Sequence, residues 1–174
     1  RSRGQGATFI ADSESIKFRM ESSFSALGST IEIQKSLPPD QRTKSMPLNK
    51  LHVPEGLSVA TCHQINDLLH ESLVETCAVN PKDYFCIVTR HAQEDMILHP
   101  TFLGERDGAA TIIIDITLLA GRTDAQKEAL YSDVRKRLDA IGFPSGNSII
   151  YLTENGPIDW SFSKQGSVKK VLGL

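Results

Sequence analysis

A handful of residues along this chain combine a side-chain type and a setting that suit chemistry on a small anion. Arg122 stands in "AGRT", after an apolar run and before a capped helix, so it falls where a strand meets a helix N-terminus, a favoured place for bound anions. Asp83 closes "VNPKD", a turn that precedes a second apolar run. Trp160 and Phe162 lie in "ENGPIDWSF", just past the last strand-like segment, with Gly156-Pro157 turning the chain. Pro47 follows Met46 in "SMPLNKLHV", where a regular pattern begins, and the dipeptide is either interior or the start of the working protein. Each residue also has a plain structural alternative. Arg122 can pair with an acid on a helix face, Asp83 can be an ordinary turn residue, and Trp160 with Phe162 can be core or interface.

Other chemistries find little support. His63 and His70 are spaced to share a helix face, but no third ligand of suitable spacing follows, so no metal site is expected. The "RKR" at 135–137 reads as a solvated helix face. No G-x-G-x-x-G, P-loop, G-x-S-x-G or H-E-x-x-H motif occurs. With a formal net charge of −2, the 174-residue chain does not read as a binder of nucleic acid or of membrane surfaces. The three cysteines, Cys62, Cys77 and Cys86, follow no zinc-finger or CxxC spacing and read as reduced, buried thiols. No run reaches the roughly 18–20 apolar residues of a membrane span, and the expectation is a cytoplasmic protein.

The elements that must position these residues recur in order. Leu48–Val53 predicts a strand that "PEGLS" ends, and Ser58 can cap a helix to about Cys77. Its Cys62, Ile65, Leu69, Leu73 and Cys77 recur at three and four, one helical face. "YFCIVT" at 84–89 is the second strand. "TIIIDITLL" at 111–119 is almost wholly apolar, as a strand buried on both faces should be. Thr123 with Gln126 makes a capping box for a helix that buries Leu130, Val134, Leu138 and Ile141, and "SIIYLT" at 148–153 is the fourth strand. Gly56-Leu57-Ser58 and Gly121-Arg122-Thr123 open the two helices 65 residues apart. Two βαβ units in tandem are therefore predicted: an α/β (α+β) domain with a four-stranded sheet and two helices on one face. The other sheet face is left to be covered by a partner copy.

Residues 1–46 differ in character. They hold nine serines, the Pro38-Pro39 break and no sustained period, with seven Lys/Arg against five Asp/Glu. The expected division is an extension over 1–46, flexible, cleaved or a gene-model artefact, and a domain over 47–174. A targeting presequence fits less well, because Asp12, Glu14 and Glu21 interrupt it.

From Met46 to about Gly166 the chain resembles the tautomerase superfamily, in the subgroup of malonate semialdehyde decarboxylase and its tautomerase-like relatives. The segments that carry the resemblance are "MPLNKLHV", "VNPKDYFCIVTRH", "TFLGERDG", "ITLLAGRTDAQKEALY" and "LTENGPIDWSF". The resemblance implies a cofactor-free enzyme built from two βαβ repeats, assembled as a homotrimer, and acting on a small oxo-carboxylate. It implies that Pro47 is a catalytic amino-terminal proline, Asp83 its acidic partner, Arg122 the carboxylate-binding arginine, and Trp160 and Phe162 the aromatic wall. Met46 is then expected to be the original start.

That chemistry follows from charge. A free α-amine titrates near 7.7–8.0. Cations and apolar walls lower this value towards a base, whereas a carboxylate raises it and leaves a cation. Two departures bear on the activity. The first of the decarboxylase's two arginines is Ala120 here, and the family's "WSFG" is "WSFS", with Ser163. The expected activity is thus keto–enol tautomerisation. Decarboxylase or hydratase activity is the alternative, and a non-catalytic trimer with Pro47 blocked by the extension is another.

Overall fold

A computed structural model describes residues 46–174. The expected extension, all but Met46, lies outside the described residues. Strand β1 (Leu48–Pro54) leads to helix α1 (Val59–Cys77) and strand β2 (Cys86–His91). Strand β3 (Ile112–Leu119), helix α2 (Asp124–Ala140) and strand β4 (Ser148–Asn155) repeat that order, and a short helix α3 (Val168–Leu172) ends the chain.

The caps form from the residues expected to make them. The Ser58 hydroxyl accepts the Thr61 N–H at 3.0 Å. Thr123 and Gln126 close a reciprocal capping box, at 3.3 Å and 3.1 Å. Each satisfies N–H groups that a helix start leaves without an intrahelical partner.

The sheet order is β2-β1-β3-β4. β1 pairs with β2 in parallel, as β3 does with β4, because each pair is bridged by a helix. The two βαβ units meet where β1 runs antiparallel to β3, from Leu48↔Thr117 to His52↔Ile113. Leu51, Val53, Ile112, Ile114, Ile116 and Leu118 point from the strands into one apolar cluster. Cys62, Ile65, Leu69 and Leu73 of α1 and Leu130, Val134 and Leu138 of α2 complete it, so both helices cover the same face. Ile141, expected in that row, is the C-cap of α2 and packs at the cluster's margin.

Two local expectations change. β2 begins at Cys86 rather than at 84, where the register with β1 starts at Asn49, and the Tyr84 hydroxyl donates to Asp67 at 2.5 Å. The "RKR" segment is not simply solvated. Arg137 reaches Glu71 and Glu75 of α1 at 2.6 and 2.7 Å and Asp133 at 2.6 Å, tying the helices together. Arg135 donates to the Ser145 carbonyl at 2.8 Å.

The opposite face of the sheet carries a row across all four strands: Ile87, Lys50, Asp115 and Tyr151 are register neighbours. Lys50 pairs with Asp115 at 3.0 Å, flanked by Ile87 at 50% exposure and Tyr151 at 44%.

Candidate active site

The strand directions bring four chain segments to one end of the sheet. There β1 and β2 enter, and β3 and β4 leave. Pro47 immediately precedes β1, Asp83 lies on the approach to β2, Arg122 follows β3, and Trp160 and Phe162 follow β4. All five residues singled out from the sequence thus fall at the same end, although more than a hundred residues of chain separate the first from the last.

Asp83 is held by the turn its sequence announced. Its N–H donates to the Asn80 carbonyl at 2.9 Å, and the Asn80 side chain accepts the Lys82 N–H at 2.9 Å. His70 of α1 bonds the Pro81 carbonyl through Nε2 at 2.9 Å and lies edge-on to Tyr84, which pins the turn to the helix. The Asp83 carboxyl is buried and accepts the Met46 backbone N–H at 3.2 Å. Burial pushes its pKa up to about 6, and the Met46 N–H works in the opposite direction. A carboxyl in that state can give or take a proton near neutrality.

Arg122 is placed by the turn after β3. Gly121 adopts a φ of 122°, which side-chain-bearing residues rarely enter, and this swings the next residue inward. The Arg122 side chain is buried, and its Nη1 donates to the Leu119 carbonyl. Its backbone N–H donates to Glu154 Oε1 at 3.4 Å, and Lys127 of α2 reaches the other oxygen of Glu154 at 2.7 Å. Burial lowers the guanidinium's pKa, and nearby Cys77 and Glu154 oppose this.

The aromatic residues form a ladder. Trp160 stacks on Phe162 with centroids 5.5 Å apart, and Phe162 stacks on Phe85 at 5.4 Å. The Trp160 Nε1–H donates to Asn155, and the Ala120 N–H donates to the Asn155 carbonyl at 2.8 Å, so the ladder's foot is fixed to the β3 exit. Met46 joins Leu119, Val168 and Leu172 in a buried apolar cluster against which Trp160 packs. Pro47 itself is buried.

Sequence reasoning did not single out Phe85, Glu154 or the α3 residues as parts of this end of the domain. In the sequence Phe85 is part of an ordinary strand-like run. The only signal for Glu154 was its place in "ENGPIDWSF", which does not say that it would hold Arg122. His63, paired with His70 in the sequence reading, is exposed while His70 is buried, so the two do not converge. Among the described residues no group of three His, Cys, Asp or Glu side chains is arranged to hold a metal. Ala120, at the first of the two positions where the resemblance leads one to expect arginines, is exposed and brings no charge to the site.

Comparison with known proteins points the same way. Residues 83–163 match a family model described as tautomerase enzyme. The "probable tautomerase YusQ" of Bacillus subtilis (strain 168) is 29% identical over 118 residues, spanning 67% of this chain and 93% of that protein. A crystal structure of FG41 malonate semialdehyde decarboxylase inhibited by 3-bromopropiolate is 33% identical, with a TM-score of 0.65, over 72% of this chain and 95% of that one. A second malonate semialdehyde decarboxylase, described with decarboxylase and hydratase activities, is 26% identical with a TM-score of 0.65, over 72% of this chain and 97% of that one.

Proposed function

The chain belongs to the tautomerase superfamily, in its malonate semialdehyde decarboxylase-like branch, and on that premise we propose that it is a cofactor-free keto–enol tautomerase of a small oxo-carboxylate. The observation that carries the reading is the meeting of Pro47, buried Asp83 and buried Arg122 at one end of the sheet. In this reading Arg122 binds the substrate carboxylate through charge-assisted hydrogen bonds, worth about 1.5–3 kcal/mol. Pro47, once it is the amino terminus, is a secondary amine beside the Asp83 carboxyl. Its protonated form delivers a proton to the enol carbon, while Asp83 takes the enol hydroxyl proton and returns it to the amine. The sum is an isomerisation, with nothing oxidised and nothing lost. Phe162 and Trp160 line the site and limit water.

The test is a protein starting at Pro47, assayed for ketonisation of phenylenolpyruvate across pH. Acceleration over buffer is expected, with a limb of the pH–rate profile set by the Pro47 amine and lost when that amine is blocked by acetylation. A rate equal to buffer at every pH would end the proposal.

Two other readings rest on specific observations. Similarity to the two decarboxylases supports turnover of malonate semialdehyde. Because Ala120 supplies no guanidinium, this activity should be weak beside the tautomerase rate. With the Met46–Pro47 bond intact, Pro47 nitrogen is a tertiary amide without basicity, and such a chain is a non-catalytic member of the family. The exposed Ile87 and Tyr151 on the uncovered face support assembly of copies through the sheet, three in number by the family resemblance.

A further inference from the structure

Two of the chain's five histidines face each other at the end of the sheet away from Pro47. His52 is the fifth residue of β1 and His91 the last of β2. The parallel register sets His52 against Thr89 and Pro54 against His91, so the two rings project from one side of neighbouring strands. They share that uncovered side with Lys50, at the corner where the edge strand β2 ends. His52 Nδ1 lies 3.0 Å from His91 Nε2. The ring centroids are 5.2 Å apart and the planes tilted by 34°, so the rings meet edge to edge through their nitrogens. Both residues are half-buried, and among the described residues neither ring has a second hydrogen-bond partner.

A shared proton is one way to satisfy two ring nitrogens held this close, and a metal ion is another. One nitrogen must accept, so at least one ring is neutral and carries a lone pair there. Metal–imidazole bonds run about 2.0–2.1 Å, and two of them closing on nitrogens 3.0 Å apart subtend roughly 95° at the ion. A tetrahedral zinc site has about 109° between ligands, whereas neighbouring ligands of a square-planar or octahedral ion stand at about 90°. Imidazole also suits Cu²⁺ and Ni²⁺, while Mg²⁺ takes oxygen ligands. We infer that His52 and His91 form a two-nitrogen chelate for a divalent transition-metal ion of the Cu²⁺ or Ni²⁺ type. Both rings turn about their Cβ–Cγ bonds, so that the two lone pairs converge on one ion. The ring that now donates takes its proton on its other nitrogen through solvent, with no electron transferred. Among the described residues no Asp, Glu or Cys makes a group of three with the pair, so water fills the remaining positions.

Such an ion bridges β1 and β2 and ties the edge strand to the middle of the sheet. Because both ligands stand on strands, their separation is set by the sheet rather than by a loop. The inference is independent of the tautomerase reading. It uses neither Pro47, Asp83 nor Arg122, and it lies roughly 16 Å along β1 from Pro47, at 3.3 Å per residue.

The experiment titrates the full, untagged chain with Ni²⁺ in a calorimeter, after treatment with a chelator. Saturable uptake of one ion per chain is expected, and Mg²⁺ should give no binding heat. His52→Gln and His91→Gln should each weaken Ni²⁺ uptake at least tenfold. His63→Gln, at an exposed position on α1, should leave it unchanged. Saturating Ni²⁺ should raise the melting temperature of the parent by about 5–10 °C and leave the two glutamine variants unmoved. Electron paramagnetic resonance of the Cu²⁺ form should show two coordinated imidazole nitrogens. A folded parent that takes up no Ni²⁺, or whose uptake survives both substitutions, overturns the inference. If a glutamine variant fails to melt cooperatively, the Cu²⁺ spectrum of the parent decides, and a single coordinated nitrogen there overturns the chelate.

Discussion

Glu154 accepts the backbone N–H of Arg122 at 3.4 Å, from a strand whose last residues lie beside the β3 exit. Burial alone would raise the Glu154 pKa, but the Lys127 ammonium and the N–H groups of Arg122 and Gly121 hold it below the ordinary carboxylate range. The charge that shapes the Arg122 turn is therefore present throughout the neutral range.

Glu154→Ala should loosen that turn without touching the proton-transfer groups. The expected result in a Pro47-start protein is a KM for phenylenolpyruvate raised roughly three- to tenfold, the effect of about one hydrogen bond, with kcat little changed. Steady-state kinetics check it. Glu154→Gln, which keeps one acceptor oxygen, should recover part of the loss.

Asp83 makes stability depend on pH. Its folded-state pKa of about 6 lies above the ordinary 3.8, so the folded form holds the proton more tightly. Stability is then fully present below about 4 and declines as pH rises through 6. Asp83→Asn removes this slope, so urea melts at pH 4 and pH 7 should separate the variant from the parent by up to roughly 2–3 kcal/mol more at pH 7. Parallel melts at the two pH values would refute the assignment.

Arg137 joins α1 to α2 through Glu71, Glu75 and Asp133. The acids on α1 are largely exposed, so the network is screened by water, and Arg137→Met should cost about 1 kcal/mol. Repeating the urea melts in 1 M salt should shrink the difference, because added ions weaken the pairs in the parent.

The uncovered sheet face is tested by charge. Ile87→Lys places a second cation beside Lys50, its register neighbour in β1, in the row that the assembly would bury. Sedimentation should show a shift to monomer with far-UV dichroism unchanged. An unaltered mass would place the contact elsewhere.

The fold was readable where a single period governs a segment. The three-and-four spacing of Cys62 to Cys77 matches their place in the core, and the Ser58 and Thr123 hydroxyls cap the two helices as their positions in the sequence predict. What could not be read depends on contacts between distant segments. Nothing local in "YFCIVT" says that Tyr84 bonds Asp67, nor that Phe85 stacks on Phe162. Likewise, "RKR" resembles any solvated run until α1 brings Glu71 and Glu75 against Arg137. The five candidate site residues were found through turn chemistry and family resemblance. Their convergence follows from strand direction, which a single helical or strand period does not encode.

The antiparallel seam between β1 and β3 makes the two βαβ units halves related by an approximate dyad, so the sheet has two geometrically equivalent ends. Leu57, in Gly56-Leu57-Ser58, stands at the far end where Arg122 stands at the near one, and it offers no charge to an anion. A polypeptide has only one α-amine, and β3 is entered from the middle of the chain, so the far end can never acquire one. If the proposed amine chemistry holds, joining the two units in one chain therefore limits each chain to a single such centre.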